Sequence, residues 1–276
     1  MNSLASAVST VPPTPAAGLR AWARLGFASL GFVYLVLGIL AGMAALGVRG
    51  SAAPGQQEVF ETIQHMPLGQ VLLWLVAAGL LGYVAWRLAQ ALLDTEGRGL
   101  TVAGLAFRGF YLFSALLYGL LAFFAGKTAW YGRLPRGQET GKSELQKVLH
   151  QPHGQGLLAL IGVVILGAGL LQLYRAWSGK FDTDVNGSPL TSAQRHLVYR
   201  MGQIGYSARA VVLSSMGHFC FLAAHHANAN EIRDTQGCFH ALQALGPEVL
   251  GTVAGGLTLY GAYLLVQAKH PILRGL

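Results

Sequence analysis

Six soft or borderline ligands stand within 23 positions near the end of the chain: His218, Cys220, His225, His226, Cys238 and His240. Thiolate and imidazole hold zinc or copper, and two cysteines in an oxidising compartment form a disulfide. The spacing fits no zinc finger or ribbon, so a Cys220–Cys238 disulfide is favoured, unconnected residues come next, and metal or haem ligation ranks last. A second group, Arg87, Gln90, Gln172, Arg175, Arg209 and Gln267, places polar heads in otherwise apolar stretches. Gathered in a ring, these guanidiniums and amides would bind an anionic head group, a solute or a partner carboxylate. The simpler expectation is that the long arginines snorkel to water. Asp182 to Gly187 matches the first half of a calcium loop, but Ala193 stands where the bidentate glutamate belongs, so a polar turn is expected. Gly154-Gln155-Gly156 and Gly167-Ala168-Gly169 begin like dinucleotide fingerprints, but no catalytic motif is complete. No enzymatic activity and no cofactor are expected.

The elements that position these residues follow from composition. Of 276 residues, 53% are hydrophobic and only 11% charged, with a mean hydropathy of +0.46, against about 25% charge in a soluble domain. An ordinary water-soluble globule, a disordered chain and a disulfide-dense scaffold are excluded. A helix crossing about 30 Å of hydrocarbon needs about 20 residues. Six stretches meet this, near 25–48, 66–90, 106–127, 154–177, 202–224 and 247–268, the fifth carrying Arg209 and His218. Apart from Glu248 at the start of the sixth, no Asp or Glu falls in these stretches, which argues against a carboxylate proton relay. Many of the 37 glycines fall inside these stretches, and helix packing is the expected use of Gly38, Gly42, Gly82, Gly167, Gly251 and Gly255. Residues 1–20, with Pro12, Pro13 and Pro15, read as a mobile tail. The first span then acts as an uncleaved anchor.

With six spans both termini share a side. Eleven Lys and Arg lie on that side against seven on the other, which predicts cytoplasmic termini and a multi-pass protein of a bacterial inner membrane. Basic residues beside the spans would meet anionic lipid head groups, so the net charge of +8 is not read as nucleic-acid binding.

The chain also repeats. At an offset of 85, Pro67, Gly69, Gln70, Gly82 and Ala91 fall on Pro152, Gly154, Gln155, Gly167 and Ala176. At an offset of 177, Gly69, Tyr83, Gln90 and Ala91 fall on Gly246, Tyr260, Gln267 and Ala268. Among the odd spans, Arg24, Phe27 and Tyr34 match Arg108, Tyr111 and Tyr118, while Gly205-Tyr206 matches Gly26-Phe27. Each unit is helix, outer loop, helix, over 21–94, 104–178 and 199–270. Short amphipathic helices are expected in the outer loops, from Val59, Phe60 and Ile63; Leu145, Val148 and Leu149; and Phe239, Leu242 and Leu245. The predicted fold is an all-α integral membrane protein: six transmembrane helices, as three tandem parallel repeats about a pseudo-threefold axis.

The Gly-Phe/Tyr pair with a tyrosine seven later, the Pro-x-Gly, Leu81-Gly82-Tyr83-x-x-Trp86-Arg87 and Tyr174 to Phe181 together resemble the bacterial membrane family designated domain of unknown function 1206. The resemblance implies three two-helix repeats in a bacterial inner membrane and no activity. Pro-x-Gly is lost in the third copy, replaced by Ala244-Leu245-Gly246. On these grounds a non-enzymatic accessory or assembly protein binding a membrane partner, or a homo-oligomer, is expected first. A small anion, solute or lipid channel or carrier comes second, and an outward-facing metal or haem site third.

Overall fold

A computed structural model describes residues 15–48, 54–93, 99, 101–132, 146–147, 149–178 and 191–269. The calcium-like segment 182–187, Leu145, Val148 and tail residues 1–14 lie outside these. All regular structure among the described residues is helical: α1 (Pro15–Ala45), α2 (Gln56–Gln64), α3 (Gly69–Leu93), α4 (Val102–Tyr131), α5 (Gly154–Ser178), α6 (Ser192–His225), α7 (Thr235–Ala244) and α8 (Pro247–Lys269), with one 3-10 turn at Ala229–Glu231. Six of them, α1, α3, α4, α5, α6 and α8, are long and apolar enough to cross a membrane.

Local chemistry sets the helix ends. Thr101 caps α4 by accepting from the Gly104 amide at 3.1 Å, and Gly132 closes it in the left-handed region at φ 73°. Thr191 and Gln194 form a reciprocal capping box on α6. α6 therefore begins ten residues before the expected 202, and its 34 residues run about 51 Å, well beyond the hydrocarbon. α1 begins at Pro15, inside the stretch expected as a tail, where a first-turn proline sacrifices no helix bond.

The turns into α3 and α5 are alike. Leu68 and His153, the middle residues of the two Pro-x-Gly triplets, have φ of 59° and 73°. Each turn closes with a glycine amide bonded three residues back, Gly69 to Met66 at 2.9 Å and Gly154 to Gln151 at 3.0 Å. The carbonyls of Ile63 and Gln64 leave no room for a Cβ at Gly69. In the third copy the positive φ moves to Gly246, at 140°. The surface helices bury Val59, Phe60 and Ile63 from α2 and Phe239 and Leu242 from α7 against the bundle, and Leu149 is buried as well. Leu245 departs from expectation: it lies in the turn after α7 and is 75% exposed.

The spans pack in the order α4, α3, α1, α8, α6, α5. Closure of the ring would put α4 against α5, and these two do not pack along each other. The repeats supply the reason. Where α1 meets α3, the backbone of Tyr83 occupies the space a Cβ on Gly26 would need, and Gly79 lies against Ser29. Where α6 meets α8, Gly205 lies against Tyr260 and Gly256 against Ala208 in the same register. The corresponding positions in α4 and α5 are Phe110, Ala168 and Val164, so bulk stands where the packed pairs have glycine. A lateral seam is left between α4 and α5.

The packing glycines divide accordingly. Gly38 fits against Thr258 and the Ala254 carbonyl, and Gly82 against the Trp22 carbonyl. Gly42 and Gly251 make ordinary contacts with Ala254 and Ala45. A Cβ at Gly167 or Gly255 would meet nothing within 4 Å, so helix packing does not require glycine there: Gly167, at the repeat position of Gly82, is half-buried and Gly255 is exposed.

A candidate anion site of arginines and tyrosines

Arg209 leaves α6 toward the middle of the bundle. Its Nη1 donates to the Tyr260 hydroxyl of α8 at 2.9 Å, and its Nη2 donates to the Tyr118 hydroxyl of α4. The guanidinium carbon lies 5.6, 5.9 and 5.4 Å from the ring centres of Tyr34, Tyr118 and Tyr260. The rings brace one another. Tyr34 meets Tyr260 edge to face at 4.9 Å, and Tyr83 meets Tyr118 at 4.8 Å, two pairs that occupy matching positions of the repeats. Phe27–Tyr83 at 5.5 Å and Tyr206–Tyr260 at 5.2 Å extend both ladders.

Arg87 of α3 donates from Nε and Nη2 to the Tyr83 hydroxyl and from Nη1 to Gln90 at 3.0 Å. Its guanidinium carbon lies 5.3 Å from the Tyr111 ring of α4. From the far side of the seam, Arg175 of α5 reaches the same Tyr111 through Nη2, at 3.5 Å from the hydroxyl. Tyr111 thus stands between two cations. Gln267 donates to the Tyr263 hydroxyl at 3.0 Å, and Gln172 is buried on α5. Among the described residues the Gln172 and Gln267 carbonyl oxygens and the Arg209 Nε are buried without a partner.

Of the residues expected in a ring, the structure joins Arg87 to Gln90 and sets Arg87, Arg175 and Arg209 against tyrosines. Arg87 and Arg209 turn inward to phenols rather than snorkelling. Tyr83 and Tyr111 stand beside Arg87, Tyr111 beside Arg175, and Tyr118 and Tyr260 beside Arg209. Those tyrosines are the functional side chains the sequence reading missed, although Tyr34, Tyr83, Tyr118 and Tyr260 had all surfaced as repeat markers. A phenol seven residues after an aromatic on an odd span, and one on the facing even span, was the available signal. Arg108, on the same repeat register as Arg24, does separate work, donating to the terminal carbonyls of Ala91 at 2.6 Å and Leu92 at 3.1 Å and so capping α3.

Phenol oxygens and ring faces solvate a guanidinium but do not neutralise it. An arginine at membrane depth costs about 3 kcal/mol or more, and buried charges elsewhere are paired with opposite charge. The described acidic residues, Glu58, Glu61, Glu231, Asp234 and Glu248, all lie between α1 and α3, between α6 and α8, or in the first turn of α8. Three guanidiniums in an apolar bundle with no described carboxylate beside them make a site of positive potential, chemically suited to a phosphate, sulfate or carboxylate.

The sulfur and imidazole cluster does not assemble. Cys220 and Cys238 are free, buried thiols rather than a disulfide, and the Cys238 thiol points at the Arg233 carbonyl at 3.9 Å. Burial, then the Asp234 carboxylate, push the Cys238 thiol up to about 12. His226 pairs instead with Glu231 at 2.8 Å. His218, His225 and His240 are exposed. Among the described residues, no three His, Cys, Asp or Glu side chains converge to hold a metal.

The comparisons with known proteins bear on the repeats. The chain is 31% identical over 258 residues to an uncharacterized protein, YxxB, of Bacillus subtilis (strain 168), covering 91% of each chain. No solved structure matches it. Segments 25–94, 99–179 and 204–270 each match one family, described as Domain of Unknown Function (DUF1206). With three matches spanning most of its length, the chain is a multi-pass membrane protein that belongs to the DUF1206 family.

Proposed function

We propose that this protein binds an anionic group inside its helix bundle, at Arg87, Arg175 and Arg209, and serves as a small anion, solute or lipid carrier rather than as an enzyme. The observation that carries the reading is the company those cations keep: phenols and amides, with no carboxylate beside them among the described residues. Permanent ion pairs would have made the arginines structural. Phenol cradles leave the charge available to a ligand, and the partnerless oxygens and Nε leave polar atoms to meet it.

A non-enzymatic accessory subunit ranks first on the sequence alone because the interior reads as having little polarity. The inward arginines reverse that order. The apolar, exposed faces of α4 and α5 keep the accessory reading second, since a membrane partner or a second copy would cover them. Both readings share the same frame. Three parallel repeats about an approximate threefold axis are supported by matching contacts: Gly38 with Thr258 and Ala254 has its counterpart in Gly217 with Leu166 and Gly162. Residence in the inner membrane with cytoplasmic termini is supported by the bias in Lys and Arg.

The test is thermal unfolding of purified protein in neutral detergent, titrated with sodium phosphate against sodium chloride at matched ionic strength. Saturation at about a hundred times the Kd contributes about 2.7 kcal/mol, a rise of several degrees. The rise should vanish in Arg175→Gln/Arg209→Gln. An equal response in wild type and the double variant would sink the reading.

A further inference from the structure

We infer that the ligand of this site is an anionic phospholipid admitted sideways from the bilayer through the seam between α4 and α5. The inference rests on the anion-binding reading and adds the ligand class and the route. Of the three within-repeat helix pairs, α1 with α3 and α6 with α8 are closed by a glycine against a tyrosine backbone, while α4 and α5 stay apart. Val164 and Gly167 of α5 take the repeat positions of Gly79 and Gly82, which pack on α1, and Phe110 of α4 takes that of Gly26; Val164 and Leu171 show 41% and 38% of their surface, and Gly167, like Gly109 beside Phe110, has open space where a Cβ would stand. Acyl chains match such walls.

Two of the three cations lie toward one end of the opening, while Arg209, midway along α6, lies deeper. Arg175 is about 5 Å along the axis from the end of α5, and Arg87 about 9 Å from the end of α3. That is head-group depth rather than the membrane centre. Tyr111, on the α4 side of the seam, is the one described residue reached by both cations. The link from Arg175 to the Tyr111 hydroxyl is long at 3.5 Å and would yield to a phosphate, which accepts two donors from a guanidinium. A soluble anion needs no lateral opening. A lipid needs both the opening and a cation at its polar end.

The experiment uses the full chain in nanodiscs of equal phosphatidylglycerol and phosphatidylcholine, with retained lipid read by native mass spectrometry. The phosphate-induced melting shift is measured in parallel. Wild type should retain phosphatidylglycerol at least tenfold over phosphatidylcholine. Gly167→Trp and Gly109→Trp, which fill the seam at positions with room, should cut retention at least fivefold and keep the phosphate shift; Arg175→Gln should lose both. Retention unchanged in both tryptophan variants, with the phosphate shift intact, overturns the lateral route but not the anion site. A phosphate shift without lipid retention in wild type makes the ligand a soluble anion and overturns the inference. A dimeric mass free of lipid assigns the seam to a second copy and does the same. Neither shift nor retention in wild type removes the anion-binding reading itself.

Discussion

The Tyr118 hydroxyl of α4 accepts a hydrogen bond from Nη2 of Arg209 on α6, although these two helices do not pack along each other. With Arg175, which reaches Tyr111 of α4 from α5, this cation ties the first half of the chain to the second. Tyr260 holds its other edge from α8.

Removing that acceptor leaves a charged donor unsatisfied in an apolar interior. Tyr118→Phe should destabilise the protein by about 1–3 kcal/mol, read by denaturant-induced unfolding in mixed micelles. Tyr131→Phe, 66% exposed at the end of α4, should change stability by less than about 0.5 kcal/mol. Equal effects would show that the hydroxyl of Tyr118 carries no such bond.

Gly38 and Gly255 read alike as packing glycines, yet only one is confined. Gly38→Ala should cost about 1–3 kcal/mol by forcing α1 away from Thr258, whereas Gly255→Ala should be neutral or slightly stabilising. Parallel melting curves of the two variants decide it.

The Cys238 thiol gives a pH signature. Its folded-state value, pushed up to about 12, exceeds the ordinary thiol value of 9.0, so the folded form holds its proton where the unfolded form releases it. Its contribution to stability is complete below about pH 9 and lost as pH rises toward 12. Maleimide labelling at pH 8 should leave Cys238 unmodified in folded protein and modify it fully in dodecyl sulfate. A mobility shift on reduction of native protein would instead reveal a Cys220–Cys238 disulfide.

Orientation is testable at two exposed positions. In a background with both native cysteines replaced by alanine, a cysteine at Leu245 should react with a membrane-impermeant maleimide in intact cells. One at Ser192 should react only after the membrane is opened. The reverse pattern would place the termini outside.

The span count was legible in the sequence because hydrocarbon thickness and the absence of water impose length and composition residue by residue, and the three repeats were legible as recurring residue spacings. Phe60, Ile63, Phe239 and Leu242 were likewise legible as inward faces of surface helices, since helical periodicity is local. What the sequence left undecided depends on which helix lies opposite which. Snorkelling was the simpler reading of Arg87 and Arg209; Tyr83, one turn back on the same helix, with Tyr111 from α4, holds Arg87, and Tyr118 and Tyr260 arriving from α4 and α8 hold Arg209. Gly167 and Gly82 share a register, yet Gly82 has α1 against it and Gly167 has open space where a Cβ would stand. The cause, Phe110 and Val164 in place of glycines, is written in the chain, but its effect appears only when α4 and α5 are left standing apart. Local chemistry determined the helices; the distances between them, set by residues far apart in sequence, decided where the charge resides and which side of the bundle is open.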